Sequence, residues 1–114
     1  MIKYDIQNDY NFWVTDFQFV LEREPNPKWQ IINLTNQNYY ILGYAISGES
    51  FYNFNGRDYV LKKGDLLFFP KGMFHTGKAN PDNPWSFFSV AFDLQFANES
   101  TRNKFDAFPN LINV

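Results

Sequence analysis

The chain has 114 residues, 45% of them hydrophobic and 21% aromatic, which suits one domain with its own core and is too apolar for a disordered chain. Its 10 basic and 12 acidic residues nearly cancel and no basic run is longer than Lys62 and Lys63, so nothing indicates nucleic-acid binding. Without cysteine there is no disulfide framework, no thiolate nucleophile and no sulfur-ligated metal.

The N-terminal residues do not have the sequence pattern of a secretion signal. Residues 1–9 contain no apolar core, and no stretch of the chain approaches the length of apolar sequence that crosses a membrane. We therefore expect a cytoplasmic protein with no membrane partner.

Turn-forming residues recur about every ten positions, a rhythm typical of antiparallel sandwiches and barrels. The runs between the turns are rich in aromatic and β-branched residues, which favour strands. Eight strands are predicted in chain order: Asp16–Arg23, Trp29–Leu34, Tyr39–Ile46, Ser50–Phe54, Arg57–Leu61, Leu66–Phe69, Phe74–Lys78 and Trp85–Leu94. The predicted class is all-β.

Two local features stand out within this pattern. Asn55 and Gly56 separate two of the strands, and Asn-Gly supplies the two positive φ angles of a type I′ turn, so a tight hairpin is predicted there. Near the C-terminus, residues 100–107 predict a short helix with Ser100 as its N-cap, ended by Pro109.

The most specific stretch runs from Gly64 to His75 and has the spacing G-x5-P-x-G-x2-H. The glycines allow turn conformations that are closed to other residues, and Pro70 ends the strand between them. This pattern resembles the second cupin motif, although the Asn that usually lies four residues beyond the His is replaced by Ala79. The resemblance implies a double-stranded β-helix barrel of the cupin or jelly-roll kind, with about eight strands.

The first cupin motif, which supplies a His-x-His pair and a later Glu as metal ligands, should lie on the preceding hairpin. Phe51, Asn53 and Arg57 stand there, or Ser50 and Tyr52 if the register slips by one. With one His and no Cys in the chain, the usual three-ligand site cannot be assembled. Since no nucleophile motif is present either, we expect no metal, no cofactor, no catalytic residues and no enzymatic activity.

A wider pattern within residues 39–94 comprises Tyr44–Ser50, Asn55–Arg57, Leu61, Gly64–Asp65, Pro70, Gly72, His75, Pro84–Trp85 and Val90–Phe92. By these residues the stretch is similar to the N-terminal ligand-binding domain of AraC-type bacterial transcription regulators. That family holds a small effector, often a sugar, inside the barrel, forms homodimers, and binds DNA through a C-terminal helix-turn-helix pair that this chain lacks. Arabinose-binding members carry polar groups on the last strand where this chain has Phe87 and Ser89, which predicts a more apolar pocket.

The resemblance and the strand pattern together predict a ligand-binding set of Tyr44, Ser47, Phe51, Asn53, His75, Trp85, Phe87 and Ser89. Two questions stay open. Trp85, Phe87 and Ser89 share one face of their strand, but the opposite face, with Phe88 and Val90, competes for the interior. His75 could equally serve a structural role, bonded to a neighbouring backbone group.

We therefore predict one effector-binding and dimerising domain over residues 1–114, with an N-terminal arm at 1–12 and a C-terminal segment at 95–114. Its partners would be a small-molecule effector, a second copy of the chain, and DNA only through a domain outside this chain. The alternatives are a metal-free cupin enzyme such as a sugar isomerase or epimerase, which would use His75 and a Tyr, and a carbohydrate-binding module.

Overall fold

A computed structural model describes residues 11–113, and every structural statement below concerns that part of the chain. It contains the strands β1 (Phe12–Arg23), β2 (Gln30–Thr35), β3 (Tyr40–Ser47), β4 (Glu49–Phe54), β5 (Arg57–Lys62), β6 (Leu66–Phe69), β7 (Phe74–Ala79), β8 (Ser86–Phe96) and β9 (Leu111–Ile112), and the helix α1 (Glu99–Asp106).

The eight predicted strands correspond to β1–β8, and the predicted all-β class is confirmed. The hairpin of β4 and β5 has the predicted turn, with φ angles of 53° at Asn55 and 71° at Gly56. β1 begins at Phe12 rather than Asp16, so the last residue of the predicted arm belongs to a strand, and residues 1–10 lie outside the described part. The short strand β9 was not predicted.

The predicted C-terminal helix is present, but its N-cap is Asn98 and not Ser100. Asn98 is extended, with φ −156°, and its Oδ1 accepts hydrogen bonds from the backbone N–H and the hydroxyl of Thr101 at 2.8 and 2.9 Å. Ser100 already lies inside the first turn. No helix within residues 11–113 is long and apolar enough to cross a membrane.

The strands form two separate antiparallel sheets. One sheet has the order β1-β8-β3-β6-β9 and the other β2-β7-β4-β5. The predicted strands form two facing sheets that are not closed into a barrel within residues 11–113: β1 pairs only with β8, β2 pairs only with β7, and no ladder joins the two sheets. Of the four edge strands, β1 and β2 carry bulges, which interrupt the ladder and disfavour further pairing.

The core lies between the two sheets, and the register decides which side chains enter it. In the five-stranded sheet, Phe87, Ser89 and Ala91 of β8 face inward, beside Ala45, Gly43 and Ile41 of β3. In β2, a bulge with Asn33 at φ 47° shifts the alternation, so that Ile31 and Leu34 both face the other sheet, although Leu34 remains 46% exposed.

The outer face of the five-stranded sheet, which points away from the core, is covered by α1 over only half its length. Phe105 of α1 packs there on Phe12, Phe96 and Phe68, with ring centroids 4.5, 5.3 and 6.4 Å away. The other half carries exposed apolar side chains that the strand register brings side by side. We call this set the outer apolar patch: Val20, Leu42, Tyr44, Phe88 and Ile112.

Candidate functional site

A cavity of about 290 Å³ opens between the two sheets. Its volume is at the lower end for small-molecule sites, which are typically apolar clefts with a few placed polar groups. The lining is mostly aromatic and aliphatic, and it comprises Phe19, Leu21, Arg23, Trp29, Ile31, Leu34, Ile41, Gly43, Tyr52, Leu67, Phe69, His75, Trp85, Phe87 and Ser89.

Four aromatic rings form one wall of this cavity. Trp85 and Phe87 are stacked with their centroids 4.2 Å apart, and Trp29 meets both of them edge-on at 5.2 and 5.4 Å. Tyr52 completes the wall, 6.1 Å from Trp29. Gly77 makes this packing feasible, since a Cβ there would lie 2.9 Å from the Tyr52 ring.

His75 lines the cavity and is 3% exposed. Its ring is stacked on the ring of Phe69, with the two centroids 4.4 Å apart. Its Nδ1 lies 3.2 Å from the carbonyl oxygen of Met73. Because that oxygen can only accept, Nδ1 carries the proton and Nε2 of the neutral ring remains an acceptor. His75 is therefore both bonded to the backbone and part of the cavity lining.

Burial lowers the pKa of His75 below its usual 6.5, although the Met73 carbonyl opposes that shift. The unfolded chain then binds the proton more readily than the folded chain, so the stability that His75 contributes is complete above pH 6.5. It declines as the pH falls from there through the lowered pKa. We expect urea denaturation to show a loss of stability as the pH falls below about 6.5. This loss should be smaller in His75→Gln, and equal losses in both proteins would contradict the burial effect.

Arg23 is the only formally charged residue among the lining residues that the structure describes. It is the last residue of β1, is exposed at the rim, and lies opposite Phe87 in the ladder between β1 and β8. Within residues 11–113, no carboxylate lies within ion-pairing distance of its guanidinium.

The eight predicted ligand-binding residues fall into two groups. His75, Trp85, Phe87 and Ser89 line the cavity. The others lie outside it: Ser47 bonds the hydroxyl of Ser86 at 2.6 Å, Tyr44 is 41% exposed in the outer apolar patch, and Phe51 and Asn53 line a cleft on the outer surface of the four-stranded sheet.

The reason for this division is the alternation of side chains along each strand. In β4 the inward residues are Ser50, Tyr52 and Phe54, so Phe51 and Asn53 must point outward. Among the lining residues absent from the predicted ligand-binding set are Trp29, Tyr52 and Arg23. The register of β4 against its neighbours could have identified Tyr52, but no sequence signal points to Arg23.

No group of three His, Asp or Glu side chains that could hold a metal ion is found within residues 11–113. Around the cavity, the donor atoms that the lining offers are a single imidazole nitrogen and hydroxyl groups. These do not make up the nitrogen and carboxylate set that a transition metal requires.

Solved structures of other proteins share this fold. A protein described as a predicted oxalate decarboxylase from Thermotoga maritima is 18% identical with a TM-score of 0.62, covering 78% of this chain and 74% of that one. An uncharacterised Klebsiella pneumoniae protein with a double-stranded β-helix domain is 24% identical with a TM-score of 0.59, covering 76% and 80%. The fold is therefore that of the cupin double-stranded β-helix proteins, as the motif from Gly64 to His75 implied.

The family model of the AraC-like ligand binding domain matches residues 18–111. This chain belongs to that family. The arabinose operon regulatory protein of Salmonella typhimurium is 44% identical over 43 residues, which are 38% of this chain and 15% of that protein. The aligned part thus spans about a seventh of that curated relative.

Proposed function

We propose that this chain is the effector-binding domain of an AraC-type transcription regulator and senses a small organic molecule in the cavity between its sheets. The observation that carries the proposal is an aromatic-walled cavity, with a few polar groups, in a member of the AraC-like ligand binding family. The proposed role involves no chemical step, no metal and no cofactor, and its place is the cytoplasm. DNA contact would belong to a helix-turn-helix domain outside this chain.

Of the predicted ligand-binding residues, the proposal keeps His75, Trp85, Phe87 and Ser89 and adds Trp29 and Tyr52. The isomerase alternative would require an acid and a base in the cavity. Burial lowers the pKa of His75 and raises the pKa of Tyr52, so both groups are neutral near pH 7. No carboxylate among the described lining residues is available to act with them.

A ligand in this cavity would contact both sheets at once, and through these contacts binding would affect the position of β1. Leu21 of β1 and Phe87 of β8 belong to one sheet, while Tyr52 and His75 belong to the other. β1 lies at an edge of its sheet, pairs with β8 alone among the described strands and leaves most of its side chains exposed, so no strand on its other side fixes its position. We propose that the ligand selects one arrangement of β1, and with it of the N-terminal arm.

A thermal-shift screen of the intact chain against sugars, sugar acids and aromatic metabolites tests the proposal. We expect one chemical class to stabilise the chain, by about 2.7 kcal/mol at a ligand concentration about 100 times the dissociation constant. Ser89→Leu should abolish the effect because it fills the cavity from an inward position. Asn53→Leu, the matched exchange on the outer surface, should leave it unchanged. Stabilisation that survives Ser89→Leu, or none from any compound, would contradict the proposal.

Homodimerisation is the second part of the proposed function, and the outer apolar patch supports it. Val20 is 64% exposed and Phe88 43%, and both lie on a face of the sheet that is otherwise packed under α1. Glu22 is the charged residue that the register places beside Phe88 on this face. A contiguous exposed apolar surface of this kind typically marks a protein interface. A second copy of the chain is the occupant we propose.

A further inference from the structure

The chemistry of the cavity narrows the class of effector, on the assumption that the proposed function is correct. The lining has one positive charge, Arg23, and among the described residues it contains no Asp or Glu that would neutralise a cationic ligand or repel an anionic one. Arg23 also has no carboxylate partner within residues 11–113, so its guanidinium is available to a ligand. This distribution of charge favours binding of an anionic ligand.

The lining is unsuited to a polyol. A sugar presents many hydroxyl groups that both donate and accept, and each one left unpaired on burial costs free energy. No Asp, Glu, Asn or Gln side chain is found among the described lining residues, so the polar partners are the Arg23 guanidinium, the Ser89 and Tyr52 hydroxyls, the indole N–H groups of Trp29 and Trp85, and the remaining nitrogen of His75. Most hydroxyls of a bound sugar would face aromatic carbon instead.

Flat aromatic surfaces lie next to the single charge. Arg23 is opposite Phe87 in the ladder, and the ring of Phe87 is stacked on Trp85 and touched edge-on by Trp29. A planar ring inserted beside these groups would gain stacked or edge-on contacts, which aromatic pairs prefer. A carboxylate on that ring would then reach the rim, where a guanidinium can bind it with two parallel hydrogen bonds.

The polar group at the other end of the cavity lies far from Arg23. His75 packs on Phe69, which pairs with Ile41, which pairs with Ala91, four residues along β8 from Phe87. At the rise of a strand, Ala91 and Phe87 are roughly 13 Å apart along β8. The positive charge of Arg23 and the imidazole of His75 therefore lie toward different ends of the cavity.

We propose that the effector is an aromatic monocarboxylate, with its ring against Trp29, Trp85 and Phe87 and its carboxylate on Arg23 at the rim. The wild-type cavity should prefer the acid over the neutral alcohol of the same shape. It should also discriminate against sugars.

Calorimetric titration of the intact chain with phenylpropionate, phenylpropanol, benzoate, benzyl alcohol and arabinose tests this inference. We expect each acid to bind at least about tenfold more tightly than its alcohol, since charge-assisted hydrogen bonds are about twice as strong as neutral ones. Arg23→Gln should remove that preference while leaving alcohol binding within about twofold, and Arg23→Lys should restore part of it. The matched control is Arg57→Gln, an exposed arginine at the tip of the β4–β5 hairpin, which should bind like the wild type.

The outcomes separate this inference from the proposed function. If arabinose or the alcohols bind in the cavity as well as the acids do, and Arg23→Gln changes nothing, the effector class is wrong while the sensor function stands. If neither the wild type nor Ser89→Leu binds any of the compounds, both the effector class and the proposed function are wrong.

Discussion

Gly48→Ala is expected to lower the free energy of unfolding by at least about 3 kcal/mol, a large part of the total of about 5–15 kcal/mol for a domain. Gly48 joins β3 to β4 with φ +69°, a conformation that costs a non-glycine residue about 1–3 kcal/mol. A Cβ there would also lie 2.2 Å from the carbonyl oxygen of Pro84 and 2.8 Å from Cα of Trp85. Backbone atoms cannot rotate away as a flexible side chain can.

The surrounding hydrogen bonds leave this junction little freedom to relax. The N–H of Glu49 donates to Asn83 O at 2.8 Å, and the N–H of Asn80 donates to Glu49 O at 3.0 Å. Movement of Pro84 would also displace Trp85, which forms part of the cavity wall. We therefore expect Gly48→Ala to weaken ligand binding as well as stability.

Urea denaturation measures the first effect, and Gly56→Ala is its matched control. Gly56 has nearly the same angle, φ +71°, but a Cβ there would meet no atom within 4 Å. This control isolates the backbone strain, so its loss of stability should be about 1–3 kcal/mol and smaller than that of Gly48→Ala. Equal losses at the two positions would show that the contact with Pro84 is not the cause.

The second large effect is expected from Phe88→Lys, which should convert the proposed homodimer to a monomer. Phe88 lies in the outer apolar patch, opposite Tyr44 in one ladder and Glu22 in the other. Loss of a central aromatic residue typically costs an interface about 2 kcal/mol or more. In a symmetric dimer each substitution enters twice, so the dissociation constant should rise on the order of a thousandfold.

Sedimentation velocity over a concentration series measures this change. Phe74→Lys is the control, because Phe74 is a comparably exposed aromatic residue, 56% accessible, on the four-stranded sheet instead. The control should remain dimeric, and both variants should remain folded. A wild-type chain that is monomeric at every concentration would refute the dimer. A dimer broken only by Phe74→Lys would place the interface on the other sheet.

Local chemistry made several parts of this fold predictable. Asn and Gly adopt positive φ angles more easily than other residues do. The hairpin therefore formed at Asn55 and Gly56, where it was predicted. Gly64 and Gly72, with φ angles of 91° and 81°, likewise place the turns on either side of β6. Since such preferences act within a few residues, they can be read without any knowledge of the neighbouring strands.

Longer-range pairing was not predictable in the same way. β9 consists of two residues whose strand character comes only from pairing with Leu66 and Leu67. Asn98 and Ser100 are both good N-caps, and the end of β8 decides which of them stays extended. Whether the sheets close into a barrel depends on edge strands that local propensity does not describe.

The sequence by itself determined the all-β class, the turns, the strand count of the core and the family resemblance carried by Gly64, Pro70, Gly72 and His75. It also showed that Phe87 and Ser89 must share one face of their strand. Only the tertiary structure decided that this face lines the cavity, that Tyr52 replaces Phe51 in its wall, and that Arg23 reaches its rim. The physical reason is that a period of two sorts side chains into two sets, while the partner strands decide which set is buried.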